Sequence, residues 1–159
     1  MRLERPGRLA LVGLALLIIA IVVRAQFRQP DVPPDPALGL GARAVVPEPV
    51  MSTLRRACFD CHSNETRWPW YSRLPIASWL MERDVKAGRG QLNFSQWIQY
   101  NRFARADLLD KICERVTAGE MPLRPYLMLH GEARLSQTDV AGLCEWTRSE
   151  ATRLVQGGS

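Results

Sequence analysis

Cys58-Phe59-Asp60-Cys61-His62 constrains this 159-residue chain more than any other stretch. Two thiols three positions apart, followed at once by an imidazole, form the C-x-x-C-H pattern of covalent c-type haem attachment. Each thiol adds across one vinyl group of the macrocycle, and a two-residue bridge lets both sulfurs reach the same edge of the ring. The next residue then lies beneath the iron, where a neutral imidazole nitrogen is a good proximal ligand. Phe59 and Asp60 need only keep the turn compact. In so small a domain, the haem would be part of the core.

Other chemistries compete for the same residues. A bare C-x-x-C also serves as a dithiol redox motif, which usually follows a strand in an α/β pattern. It could supply half of a zinc site, but the chain has no second C-x-x-C and no H-x-x-x-H to complete a tetrahedron. A Cys58–Cys61 disulfide would be tight and would leave His62 without a role.

Charge narrows the function classes. Residues 1–28 carry five arginines against Glu4, a net +4, whereas the other 131 residues are nearly balanced at +1. The basicity is an N-terminal device. A nucleic-acid face would need basic residues clustered in the folded part, so nucleic acid is not an expected partner. The haem propionates would make the folded part slightly acidic. Cys113 and Cys144 remain once the motif is set aside. A disulfide between them fits an exported protein, and two buried free thiols fit equally well.

The chain divides into four stretches. Residues 1–8 are a basic, cytoplasmic N-terminus. Residues 9–24 include Leu9 to Val23, fifteen uncharged residues that would extend about 22 Å as a helix, against a hydrocarbon core of about 30 Å. This is either an uncleaved anchor, with Arg8 and Arg24 snorkelling at its ends, or a signal peptide cut after Ala25. The anchor reading places the folded part on the periplasmic side of a bacterial inner membrane. The signal-peptide reading makes it soluble in the periplasm. Residues 25–48 read as a semi-rigid Pro-rich linker, with prolines at 30, 33, 34, 36 and 47. Residues 49–157 form the haem-binding domain.

Within that domain no segment alternates with period two, and helical spacing recurs, which predicts an all-α fold of small, cytochrome-c-like type. A short helix through Met51, Leu54 and Arg55 leads into Cys58. The stretch around Trp68, Pro69, Trp70 and Tyr71 reads as a loop, either pinned to the core by its aromatics or walling the haem. Pro75 opens a helix that ends near Gly88 and Gly90. Ser95 is the expected N-cap of a helix over 96–103, and Asp107 the start of the next, which Gly119 closes. Residues 120–135 read as loop. Ser136 with Asp139 makes a capping box for the last helix.

A six-coordinate haem needs a second ligand. Met121 is the leading candidate because it follows a helix end and Pro122 stiffens the backbone that would present its thioether. A thioether is soft, favours ferrous iron and raises the potential relative to a second histidine. Met121 as a flexible core filler is the competing reading. His130 is the alternative ligand, and a five-coordinate haem also fits.

CFDCHSNETRWPWYS (58–72), DVKAGRGQLNFSQW (84–97) and GEMPLRPYLMLHGEARLS (119–136) resemble the bacterial haem-binding domain family of small membrane-anchored or exported c-type haem proteins. The resemblance spans about residues 50–155. It implies one covalent haem c per chain on Cys58 and Cys61, with His62 as proximal iron ligand, and it favours Met121 within GEMP while keeping His130 in the matching segment. The expected function is one-electron transfer with redox protein partners at the membrane or in the periplasm, by a carrier without catalytic residues. A haem-based sensor or small peroxidase with an open sixth site is the alternative.

Overall fold

The computed structural model describes residues 5–26 and 33–157. The described residues form helices and 3-10 turns without a strand, so the chain is all-α. The helices are α1 (Arg5–Gln26), α2 (Glu48–Ala57), α3 (Phe59–His62), α4 (Pro75–Gln91), α5 (Arg102–Thr117), α6 (Arg124–Leu127) and α7 (Gln137–Val155).

Two units emerge, one holding α1 with residues 68–84 and the other holding residues 33–67 with 85–157. In the first unit, the 18-residue window Gly7–Arg24 has a mean hydropathy of 2.3. That is long and apolar enough to cross a membrane, a property that signal sequences share. Of the aromatics expected to pin the stretch around Pro69, Trp68 and Tyr71 are part-buried and Trp70 is not. Trp70 and Trp79 are exposed, as is Ile76, whereas Ser72 and Ser78 are buried. Ile76, Trp79, Leu80 and Arg83 share one helical face.

The second unit is built on the pairing of α5 and α7, the most extensive between any two helices. Its core gathers Leu54, Phe59, Phe94, Trp97, Leu109, Leu143, Trp146 and Leu154. Ser136 and Asp139 form the expected capping box, with each side chain accepting from the other's backbone amide. Gly119, at φ +68°, ends α5 as expected. Its amide bonds Val116 O and the Glu120 amide bonds Arg115 O, the paired bonds of a Schellman motif. A Cys113–Cys144 disulfide joins α5 to α7.

Several local expectations are corrected. Ser95 is not a helix cap, because its hydroxyl accepts from the Asn64 amide. Asn93 caps instead, by accepting from the Ser95 amide, and it opens a 3-10 turn over Phe94–Gln99 rather than an α-helix. Asn101 then caps α5, which leaves Asp107 inside the helix and paired with Lys111 one turn on. Residues 120–135 are not all loop. Pro125 lies in the first turn of α6, where its missing amide costs nothing, and a 3-10 turn spans Gly131–Ala133. The described part of the Pro-rich stretch, residues 33–48, is not an extended spacer. It turns at Leu40–Ala42, buries Leu40 to 2% exposure, and takes the Trp146 indole N–H on the Val45 carbonyl at 3.0 Å. Residues 27–32 of that stretch lie outside the described residues.

Candidate haem-attachment site

The Cys58–His62 segment is one turn of helix. Cys58 ends α2 by donating its amide to Leu54 O, and its own carbonyl accepts from the amides of Cys61 and His62. The two cysteines therefore stand one turn apart, and both are reduced thiols. Desolvation by the surrounding protein pushes the Cys58 thiol up to about 12, with Cys61 adding to the effect and Arg56 opposing it. That thiol is uncharged at neutral pH.

His62 Nδ1 lies 3.1 Å from the Leu92 carbonyl. A carbonyl can only accept, so this contact assigns the proton to Nδ1 and leaves Nε2 with its lone pair. Burial holds the His62 pKa below the ordinary imidazole value, against the smaller opposing effect of the Leu92 and Gly88 carbonyls. A neutral ring fixed through Nδ1 is the arrangement expected of a metal-ligating histidine, whose other nitrogen is available to coordinate. The donor set of two reduced thiols and one oriented neutral imidazole fits a covalently held haem.

The turn is seated on α4 through Gly88. A Cβ on that residue would lie 2.6 Å from the Cys61 carbonyl oxygen and 3.2 Å from the Cys61 Cβ, so only glycine permits the approach. α4 ends at Gln91, close to the expected end near Gly88 and Gly90. The reason for Gly88 is contact. Arg89, one residue on, donates to Ser63 O at 2.8 Å and Thr66 Oγ1 at 2.9 Å. Behind the turn, Phe59 stacks on Phe94 with centroids 5.3 Å apart, and Trp97 continues the aromatic packing.

Asp60 does more than keep the turn compact. It is 7% exposed, and its carboxylate accepts from the Arg67 amide, Arg67 Nε, Arg67 Nη2 and the Tyr126 hydroxyl. The Asp60 carbonyl accepts from Thr66 Oγ1 at 2.7 Å. Ser63 Oγ donates to Phe59 O and accepts from the Glu65 amide. The polar run from Ser63 to Arg67 thus laces the turn to itself, a role signalled only by its position immediately after the motif.

Met121 is partly buried and packs against the core, next to a cis peptide bond with Pro122. His130 stacks on Tyr126, with centroids 4.1 Å apart and planes at 12°, and its Nδ1 contacts Glu132 Oε1 at 3.3 Å. A cleft of about 470 Å³ lies beside Val116, Leu135, Val140 and Cys144, and no residue of the Cys58–His62 turn lines it.

The family model for the haem-binding domain matches residues 15–149, most of the chain. The protein belongs to the haem-binding domain family. No curated protein and no solved structure matches it. Haem is accordingly its cofactor, and among the described residues the Cys58–His62 turn is where the haem-binding domain has a donor set suited to that cofactor.

Proposed function

We propose that this haem-binding domain protein is a monohaem c-type cytochrome, carrying single electrons on the periplasmic side of a bacterial inner membrane. One observation carries the reading: Cys58 and Cys61 stand one turn apart outside any disulfide, with His62 neutral through burial and oriented by Nδ1 on the Leu92 carbonyl. Haem bound there supplies a one-electron iron couple. Cys58 and Cys61 would hold it through thioether bonds to its vinyl groups. His62 Nε2 would be the iron ligand, and the Leu92 carbonyl keeps that ring oriented. Phe59, Phe94 and Trp97 keep water from the back of the turn.

Met121 is the sixth ligand in this proposal. Met121 is partly buried against the core beside Pro122, which supports the thioether, and His130, with Nδ1 on Glu132, is the alternative. A closed Met/His iron suits a carrier rather than a catalyst. Helix α1 holds the domain at the membrane, or directs its export, and the partners are redox proteins there.

The test is the visible spectrum of the protein matured with cytochrome c assembly factors, beside His62→Ala and Met121→Ala. Haem that survives acid-acetone extraction is expected, along with a methionine–iron charge-transfer band that disappears in Met121→Ala. Haem extracted by acid-acetone would defeat the covalent reading. A covalent haem that lacks the band and binds carbon monoxide at once would replace the carrier with a sensor or peroxidase.

A further inference from the structure

Asp60 and Tyr126 are 66 positions apart in sequence and 2.7 Å apart in space. Asp60 sits between the two cysteines, and Tyr126 lies in α6, five positions after Met121. The bond therefore ties the attachment turn to the segment that carries the proposed sixth ligand. The Tyr126 ring also stacks on His130, the alternative ligand. A second tie lies further along. Arg56, two residues before Cys58, donates through Nη1 to the carbonyls of Glu132 and Arg134 and pairs through Nη2 with Asp139 at 3.1 Å.

The two partners of Asp60 differ in what they connect. Arg67 is local, seven positions away, with its side chain 66% exposed. It keeps the carboxylate partnered whatever Tyr126 does. Removal of the Tyr126 hydroxyl would thus leave no orphaned buried charge and no change in the turn itself. What it would remove is the tie to the Met121 segment. A short hydrogen bond from a hydroxyl to a carboxylate is among the stronger kinds.

We propose that the Asp60–Tyr126 hydrogen bond is a latch that holds the Met121 segment against the attachment turn and so sets how easily an external ligand displaces the sixth ligand. Asp60 and Tyr126 are then positioning residues. The proposal rests on the reading of Met121 as a ligand to haem held by Cys58, Cys61 and His62.

Imidazole titration of the ferric, haem-loaded full chain in detergent tests it, with loss of the methionine–iron band as the readout. Tyr126→Phe keeps the ring on His130 and is expected to bind imidazole about tenfold more tightly, as loss of one charge-assisted hydrogen bond allows. Asp60→Asn keeps an acceptor without the charge and should give a smaller increase. Leu143→Ala, a core truncation in α7 away from the latch, controls for general loosening. Tyr126→Phe indistinguishable from wild type would overturn the latch, as would an equal increase in Leu143→Ala. A wild-type band unaffected by Met121→Ala would instead remove the Met121 reading, and the latch with it.

Discussion

The Cys58–His62 turn and the 119–136 segment, which the proposed haem site would join, are held by different means. The turn is fixed largely through backbone: the Cys58 carbonyl, the Leu92 carbonyl on His62, and the bare Cα of Gly88 against Cys61. The later segment hangs between the ends of α5 and α7 and is fixed by side chains, through Tyr126 to Asp60 and Arg56 to two carbonyls. Backbone contacts inside a packed core do not open without loss of the fold. Side-chain ties break singly. The first arrangement suits a permanent attachment, and the second suits a ligand segment whose grip is adjustable.

This contrast can be pressed from either side. The largest effect is expected from removal of the Cys113–Cys144 crosslink, which closes a 31-residue separation around the whole later segment. Cys113→Ser with Cys144→Ser should cost about 3–4 kcal/mol in urea unfolding, from loop entropy restored to the unfolded chain. Next comes Gly88→Ala. The clash is with backbone, so about 1–3 kcal/mol of stability should disappear, together with a lower covalent haem yield. A variant that kept both its stability and its haem would show that the turn is not backbone-held.

Ser136→Ala removes the cap where the later segment enters α7, and a loss of about 1 kcal/mol is expected in the same assay. The last effect is read from the pH dependence of stability. Asp139 is held down at about 2, first by the Ser136 amide and then by the Ser136 hydroxyl, Thr53 and Arg56. Its folded pKa lies below its unfolded value, so it stabilises the fold above about pH 4, and that contribution fades as pH falls through about 2. Melting temperatures from pH 6 down to pH 2 should therefore fall less steeply in Asp139→Asn than in wild type. Parallel curves would mean that Asp139 contributes no linkage.

The parts of this protein that can be read along the chain are those whose physics is complete within about one helical turn. Cys58, Cys61 and His62 declare their chemistry by spacing, Ser136 and Asp139 cap each other across three residues, and Gly119 supplies the left-handed residue that ends α5. The apolar stripes of α5 and α7 likewise repeat with the helix period, so the all-α class is legible. Where two local signals compete, proximity misleads. Ser95 is a good cap by type, but its hydroxyl is taken by Asn64, which the chain brings back from 31 positions away.

The remaining features depend on segments distant in sequence. The carbonyl that orients His62 belongs to Leu92, the reason for Gly88 is Cys61, and the second partner of Asp60 is Tyr126. None of these residues carries a mark of its own: a leucine carbonyl, a helical glycine and a tyrosine in a short helix occur in any helical protein. The pairing of Cys113 with Cys144 is one of two equal readings until α5 and α7 lie side by side with those Cα atoms 4.8 Å apart. Periodicity and capping are short-range and are written in neighbouring residues, whereas a close approach between backbones is a property of where two helices cross. That crossing is set by packing of the whole core, and no window of sequence contains it.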